Sequence, residues 1–281
     1  MKSTIIWRVA FCHGVLAICF VLAGSSASAQ KHGPEIGQRT VSALMLSDIH
    51  FDPFHDPVKA RQLADAPVSE WGKILAAPES ADQASAFAAL QQRCSARGVD
   101  TPYALLQSSL RAAREHAPDT KFITVSGDLI GHGFTCRFAA VLPGKTGGDY
   151  AAFVEKTIEY VTLELRGAFP GVPVYAALGN NDSNCGDNHL DAGSDFLASV
   201  AKSVLAGLPK SVNRKKVLTD FTASGSYSVR MAAPMRNTRL IVLDDLFMLT
   251  QYATCGGQQD RSAAAAQIAC LSRPAWGRRV A

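Results

Sequence analysis

Three short blocks of polar residues carry side chains that bind divalent cations, and each block follows an apolar run. The blocks are Asp48-Ile49-His50, Gly127-Asp128 with His132 four residues later, and Gly179-Asn180-Asn181-Asp182. Carboxylate, imidazole and amide oxygen groups suit divalent zinc, manganese or iron. A carboxylate such as Asp128 can bridge two ions, and two ions can clamp both the attacking and the leaving oxygen of a phosphoryl group.

Each block alone is a weak signal, because short Asp-, Asn- and Gly-containing stretches are also common in turns. Asp48 and His50 are separated by one residue, so in an extended segment both side chains would lie on the same side of the chain. The three blocks in series, each after a hydrophobic strand, favour a metal site over three unrelated turns. We therefore expect Asp48, His50, Asp128 and Asn180 to converge on a common pair of cations.

The elements that must position these blocks alternate between strands and helices along the chain. Apolar runs predict strands at residues 41–46, 122–125, 172–178, 227–231 and 240–243. Periodic and alanine-rich segments predict helices at 101–116, 150–166, 195–205 and 261–271, with Thr101 as N-cap and Pro102 in the first turn. This alternation predicts an α/β fold in which helices cover parallel strands. Ligand sites form at the carboxyl ends of such strands.

The segments between these elements are predicted to be irregular. Residues 52–92 are rich in proline and alanine with weak periodicity, so we expect long loops with helical pieces. Residues 131–148 contain several glycines and are predicted to form a loop at the rim of a cleft. The basic run 214–216 is predicted to be a solvated loop.

The N-terminus has the pattern of an export signal. Lys2 and Arg8 precede an apolar stretch, and Ala27-Ser28-Ala29 offers a small-residue cleavage site, so residues 1–29 are predicted to be a signal peptide. The apolar stretch is shorter than the roughly 20 residues that a membrane span needs. We expect a periplasmic or secreted protein of about 250 residues with no membrane span after cleavage, a length compatible with one domain.

Charge and cysteine content agree with an exported protein that does not bind nucleic acid. The formal net charge is +4, and loss of Lys2 and Arg8 with the signal would leave +2, without the clustered basic surface that nucleic acid requires. Export makes disulfides plausible for four of the five cysteines that follow the signal, and the odd count leaves at least one thiol over. The pairing stays open at this point. These cysteines are Cys94, Cys136, Cys185, Cys255 and Cys270.

Segments 46–52, 126–132 and 177–182 resemble the motifs of the calcineurin-like metallophosphoesterases. A histidine four residues after Gly-Asp is similar to the acid sphingomyelinase-like phosphodiesterase branch. The resemblance spans roughly residues 41–271 and implies an α/β/β/α sandwich with a binuclear centre of zinc, manganese or iron. It implies the following roles: Asp48 and His50 hold the first ion, Asp128 bridges, Asn180 holds the second ion, and His132 is a proton donor near the leaving group.

This chain departs from the family pattern at Asn181, where the family often has a histidine that contacts the phosphate. An asparagine side chain can donate a hydrogen bond to an oxyanion, but it cannot act as a general acid. Endopolyphosphatase-like members resemble this chain in having asparagine there. His132 is then the main acid available, and Asn181 is a candidate for contact with the phosphoryl oxygens.

A second departure concerns the later histidines of the family, a Gly-His and a His-x-His pair, because no histidine follows His189. We interpret residues 30–271 as an incomplete phosphoesterase domain without its C-terminal strands, and 272–281 as an irregular tail from truncation or a shifted reading frame. His116, at a helix end, and His189, in the loop after the third block, are the remaining candidates for substitute ligands.

Two functions follow from these observations. The first is an exported metal-dependent phosphoesterase that hydrolyses phosphodiester or phosphomonoester bonds of a small substrate, with activity impaired by the missing histidines. The alternative is a non-catalytic remnant or pseudoenzyme of the same family. Substrate identity, metal identity and oligomeric state stay open.

Overall fold

The first three strands form a parallel sheet in the order β1-β2-β3, and the computed structural model describes residues 40–271. The strands are β1 Ala43–Leu46, β2 Phe122–Val125 and β3 Val174–Ala176. Leu46 lies beside Val125, and Val125 lies beside Ala176. Because parallel strands end at the same edge of the sheet, the three polar blocks emerge next to one another. The predicted parallel sheet is confirmed.

Outside the parallel sheet, the regular elements between residues 40 and 271 are an antiparallel pair of strands, a short 3₁₀ helix and nine α-helices. The pair consists of β4 Tyr227–Arg230 and β5 Arg239–Val242. A short 3₁₀ helix spans Asp245–Met248. The α-helices are α1 Pro57–Asp65, α2 Val68–Ala76, α3 Gln83–Arg93, α4 Tyr103–His116, α5 Phe134–Val141, α6 Gly147–Ala168, α7 Asp195–Gly207, α8 Arg214–Ser224 and α9 Ser262–Leu271.

Polar side chains define where several of these helices begin. Thr146 and Asp149 form a reciprocal capping box at the start of α6. The side chain of Ser194 accepts the N–H of Leu197 at the start of α7. Such caps satisfy backbone donors that have no partner within the helix, and each stabilises the fold by about 1 kcal/mol.

An aromatic cluster packs the helices directly behind the first polar block. Phe54 and Trp71 both contact Phe153 of α6, with ring centroids 5.4 and 5.5 Å apart respectively. Phe51 and Phe54 are fully buried, and they follow His50 by one and four residues. Burying a phenylalanine side chain stabilises the fold by roughly 1.5–3 kcal/mol. The core therefore holds the segment that continues from the candidate site.

The helical pieces predicted within 52–92 are confirmed, but the long loops are not, because α1, α2 and α3 take up most of that segment. Each of these helices buries a few apolar residues against neighbouring helices, among them Leu63, Trp71 and Leu90. Because each helix buries only a few apolar residues, the helical repeat of apolar residues in the sequence is weak. The loop predicted at 131–148 likewise contains α5, and the basic run 214–216 is the exposed first turn of α8.

Thr101 does not act as the N-cap of α4, which begins at Tyr103. Its N–H instead donates to the carbonyl of His50 at 2.9 Å, and its carbonyl accepts the N–H of Asp52, also at 2.9 Å. The residue is therefore part of a short bridge that joins the start of α4 to the first polar block.

Two disulfides join Cys94 to Cys136 and Cys185 to Cys255, which confirms that four of the cysteines pair. The predicted signal peptide and the predicted tail at 272–281 lie outside the described residues. Between residues 40 and 271, none of the helices combines the length and the apolar character needed to cross a membrane.

Candidate metal centre

Asp48, His50 and Asp128 converge at the carboxyl edge of the sheet. The Nε2 atom of His50 lies 3.7 Å from Asp48 Oδ1 and 3.7 Å from Asp128 Oδ2. One possible ligand atom from each of the three residues lies within 4.8 Å of the others. Two carboxylates and one imidazole in this arrangement are a donor set that fits a divalent transition metal.

The hydrogen bonding of His50 favours this donor set. Its Nδ1 atom lies 3.2 Å from the carbonyl oxygen of Ile130, which can only accept a hydrogen bond. Nδ1 can donate its hydrogen to that oxygen, which leaves Nε2, 3.7 Å from each of the two carboxylates, as the ring nitrogen that could bind a cation. The side chains of His50 and Asp128 are largely buried, whereas that of Asp48 is 64% exposed.

The backbone at these three residues is left-handed. Values of φ are 53° at Asp48, 45° at His50 and 53° at Asp128. This conformation costs a non-glycine residue about 1–2 kcal/mol. Between residues 40 and 271 only two other non-glycine residues share it, Ser95 and Asn188. Strain of this kind persists where function requires it, so its concentration on the three converging residues supports a site.

The prediction that Asp48 and His50 lie on the same side of an extended segment is therefore wrong. The strand β1 ends at Leu46, and neither residue is extended. The two side chains meet because the chain turns sharply after the strand.

Two glycines allow the second and third blocks to approach each other. A Cβ atom on Gly127 would lie 2.4 Å from the backbone nitrogen of Gly179, and a Cβ atom on Gly179 would lie 2.2 Å from Asp128 Oδ1. No other residue fits at such distances. The N–H of Asn181 then donates to Asp128 Oδ1 at 3.0 Å, which fixes the carboxylate.

Asp182, the last residue of the third block, clamps the same two loops from the interior. Its buried carboxylate accepts backbone N–H groups from Leu129 at 2.8 Å, Ile130 at 3.0 Å and Gly179 at 2.9 Å. Burial raises the pKa of Asp182 to about 7, although these hydrogen bonds act in the opposite direction. The sequence motif includes Asp182, but no role followed from its type alone.

Asn180 and Asn181 both lie in the turn after β3. Asn180 is half-buried, and its carbonyl accepts the N–H of Asn188 at 2.8 Å. Asn181 is buried, with 3% of its surface exposed. The backbone N–H of Asn181 contacts Asp128, whereas the roles of Asn180 and of the Asn181 side chain stay predictions.

His132 lies against the first block and has a partner that sequence reasoning missed. Its ring stacks on that of His50, with centroids 4.0 Å apart. Its Nδ1 atom lies 2.8 Å from Asp100 Oδ1, and its N–H donates to Asp100 Oδ2 at 2.9 Å. Asp100 directly precedes Thr101 and Pro102, which predict a helix start, and no motif in the sequence marks Asp100 as a partner of His132.

His50, Asp100 and His132 form a second group with possible ligand atoms within 4.8 Å of one another. In this group Asp100 is already engaged, because Arg137 Nη2 lies 3.1 Å from Asp100 Oδ2. Arg137 is buried and was also missed, since a single arginine beside a cysteine carries no recognisable signal. Asp48, His50 and Asp128 have no such cation beside them in the part of the chain described, so they are the better metal site.

A cleft of about 770 Å³ opens over these residues. Its lining includes Asp48, His50, His132 and Asp187 together with residues of the loop 94–101. Burial raises the pKa of Asp187, and the nearby His132 opposes that shift. The loop presents the exposed residues Arg97 and Val99 to the cleft. A small phosphoester would fit a space of this size.

His116 and His189 belong to neither group of possible ligands among residues 40–271. His116 is exposed at the end of α4. The ring of His189 lies 2.7 Å from the carbonyl of Asp187, and its backbone forms a bridge with Ala253. His55, which follows the first block, instead contacts Gln83.

The fold and the site together define an α/β protein with histidine and aspartate groups suited to metal binding at the carboxyl edge of a parallel sheet. No family model matches the chain. The chain is 29% identical over 161 residues to human (Homo sapiens) acid sphingomyelinase-like phosphodiesterase 3b, covering 57% of this chain and 32% of the relative. It is 27% identical over 220 residues to the mouse (Mus musculus) protein of the same name, covering 75% and 40%.

The chain is thus a distant homologue of acid sphingomyelinase-like phosphodiesterase 3b, a calcineurin-like metallophosphoesterase. This finding confirms the resemblance identified in the sequence. The matched segments span about a third and two fifths of the two relatives. The two disulfides are consistent with a protein that functions outside the cytoplasm.

Proposed function

We propose that this protein is an exported metal-dependent phosphoesterase that hydrolyses phosphodiester or phosphomonoester bonds of a small substrate. The observation that carries the proposal is the convergence of Asp48, His50 and Asp128 on left-handed backbone. The distant homology to a phosphodiesterase family supports the reaction class. We also propose that residues 30–271 form one calcineurin-like α/β/β/α domain preceded by a signal peptide.

In this proposal Asp48 and His50 hold one divalent cation, Asp128 bridges, and Asn180 holds a second. Bound zinc, manganese or iron would supply electrostatic stabilisation for the negative charge that develops on a phosphoryl group. The remaining residues of the blocks keep these ligands in place, since Asn181 and Asp182 bind the loops that carry Asp128.

His132 is proposed to donate a proton to the leaving oxygen. Its side chain is 62% exposed within the cleft, so a substrate can reach it. Because Nδ1 is engaged by Asp100, Nε2 is the nitrogen available to the substrate. The side-chain amide of Asn181 is proposed to donate a hydrogen bond to a phosphoryl oxygen.

The test is hydrolysis of bis-p-nitrophenyl phosphate by the purified chain with added Mn²⁺ or Zn²⁺. Asp128→Asn should lower kcat/KM by at least about a hundredfold, because loss of a direct ligand exceeds the roughly 10- to 100-fold effect of outer partners. Asp119→Asn changes an exposed carboxylate in the turn before β2 and should leave the rate unchanged. Equal rates for the parent protein and Asp128→Asn would overturn the mechanism.

A non-catalytic relative that retains metal binding is the second candidate. The observation in its favour is that each group of possible ligands within residues 40–271 has three members, and the two groups share His50. A protein that binds a divalent ion through Asp128 but turns over neither phosphodiesters nor phosphomonoesters would support this alternative.

A further inference from the structure

The imidazole of His132 is held by one carboxylate through two contacts. Asp100 Oδ1 lies 2.8 Å from His132 Nδ1, and Asp100 Oδ2 accepts the backbone N–H of His132 at 2.9 Å. The same side chain thus fixes both the ring and the backbone of this residue. The side chain of Asp100 is only 8% exposed, so solvent competes little for these hydrogen bonds.

Asp100 is itself held from the interior by a buried arginine. Arg137 Nη2 lies 3.1 Å from Asp100 Oδ2, and Arg137 Nη1 lies 2.6 Å from Asp52 Oδ2. The side chains of Arg137 and Asp52 are 2% and 0% exposed. Asp52 in turn accepts the N–H of Phe54 at 2.9 Å. Moving one partner of a buried ion pair is strongly destabilising, so the contacts of Arg137 with Asp52 and Asp100 restrict the position of the Asp100 carboxylate.

Backbone features on both sides of Asp100 restrict it further. A Cβ atom on Gly131 would lie 2.8 Å from Asp100 Oδ2, so the glycine makes room for the carboxylate. Thr101 bonds to the backbone of His50 and Asp52. The disulfide between Cys94 and Cys136 joins the loop that carries Asp100 to the residue before Arg137. All these constraints act on a side chain that sequence reasoning did not identify.

We infer that Asp100 is a positioning residue that holds His132 so that Nε2 presents its proton to the leaving oxygen of the substrate. This inference rests on the proposed function, since it assigns His132 as proton donor. Arg137, anchored to Asp52, keeps Asp100 in place. In this role Asp100 acts on the reaction through His132.

The step that depends on this arrangement is cleavage of the bond between phosphorus and the leaving oxygen. The oxygen of a water molecule forms a bond to phosphorus, and the leaving oxygen departs with the electron pair of the broken bond. That oxygen takes the proton from Nε2 of His132, whose ring carries hydrogens on both nitrogens before the step. The water gives up its proton to solvent and Nε2 takes a proton back from solvent, while the Nδ1 hydrogen stays on the ring as the donor to Asp100. Because Asp100 already fixes the ring through Nδ1, less rotational freedom of His132 has to be lost to reach the geometry for proton transfer.

The experiment measures kcat with Mn²⁺ for a series of aryl phosphodiesters whose leaving phenols differ in acidity. An acidic phenol leaves without a proton, whereas a weakly acidic phenol needs one. Asp100→Asn should therefore lose roughly ten- to hundredfold in kcat with the least acidic phenol, a part of the typical contribution of a general acid, and little with p-nitrophenol. KM should stay the same, and Asp119→Asn should match the parent throughout.

A double-mutant cycle separates positioning from a general structural effect. His132→Ala should show the same steep dependence on leaving-group acidity as Asp100→Asn. The double variant should lose no more than His132→Ala alone, because both changes remove one function. Additive losses, or an equal loss with every leaving group, would show that Asp100 only supports the fold and would overturn the inference.

A second measurement does not require turnover. Nitrogen-15 NMR of the histidine rings, with the His132 signal assigned from His132→Ala, reports which ring nitrogen carries the hydrogen. The full chain should have His132 protonated at Nδ1, and Asp100→Asn should change that preference. A parent His132 ring protonated only at Nε2 would overturn the inference. If NMR shows the expected hydrogen on Nδ1 but no phosphoester is cleaved, the proposed function fails. The contact between Asp100 and His132 would then be confirmed as a structural feature without a catalytic role.

Discussion

Two buried aspartates, Asp182 and Asp244, differ in the number of hydrogen bonds that their carboxylates accept. Asp182 accepts three backbone N–H groups and joins two loops of the candidate metal centre. Asp244 is equally buried, and its Oδ1 accepts the N–H of Leu246 at 3.2 Å. Its Oδ2 has no hydrogen-bond partner among the described residues. Burial raises the pKa of Asp244 well above its usual range, so this residue opposes folding once it is ionised.

Replacing Asp244 by asparagine should remove a pH dependence from the stability of the protein. Above the usual carboxyl pKa of about 4, the folded state retains a proton that the unfolded state has lost. The free energy of unfolding contributed by Asp244 therefore falls as pH rises through that window. Relative to the parent, Asp244→Asn should gain stability between about pH 5 and about pH 8, measured by urea unfolding. Parallel pH profiles would contradict the assignment.

At the scale of the elements, α8 ends at Gly225, which has a left-handed backbone and no room for a side chain. Gly225 has a φ of 65° and its N–H donates to the carbonyl of Phe221. A Cβ atom on Gly225 would lie 2.3 Å from Asp244 Oδ2. Gly171, with a φ of 77°, has no atom within 4 Å of its Cβ position. These two glycines therefore share a backbone conformation and differ in their surroundings.

Gly225→Ala should destabilise the protein more than Gly171→Ala. Both variants carry the cost of a left-handed alanine, about 1–2 kcal/mol. Gly225→Ala adds overpacking against Asp244, which costs about 1–3 kcal/mol more. Urea unfolding of the two variants and the parent measures the difference directly. Equal losses would mean that the loop at Asp244 moves aside at no cost.

Much of the element order could be predicted from the sequence, because each core strand is an apolar run that ends at a polar block. Strand β2 has the predicted bounds, and α4, α7 and α9 lie within two residues of theirs. Helices α5 and α8 were missed, and α1, α2 and α3 were predicted only as helical pieces, because their buried faces are short and are defined by contacts from other parts of the chain. Trp71, for example, packs on Phe153, which is far away in sequence.

The same contrast holds in the candidate site. Asp48, His50 and Asp128 could be predicted by residue type, spacing and position after strands, and the structure brings their side chains together. Asp100 and Arg137 could not, because each comes from a segment without a motif and gains its partners only through the fold. The roles proposed for Asn180 and Asn181 stay predictions.

At the scale of the whole molecule, segments that are distant in sequence meet around one cleft, and two disulfides join further distant segments. Cys94 lines the cleft and is bonded to Cys136, the neighbour of Arg137. Cys185 follows the third polar block and is bonded to Cys255. The segments that follow β1 and β2 line the cleft together with the loop 94–101. A metal bound at the sheet edge would therefore join parts of the chain that the disulfides already restrain.

The most direct test of this account is anomalous X-ray diffraction from crystals of the protein grown with Mn²⁺. The account predicts a strong anomalous peak about 2.0–2.3 Å from oxygen or nitrogen atoms of Asp48, His50 and Asp128, a range typical of such ligands. The peak should disappear in Asp128→Asn crystals and persist in Asp119→Asn crystals. A peak between Asp100 and His132 without contact to Asp128, or no peak near His50 at saturating Mn²⁺, would contradict the central claim.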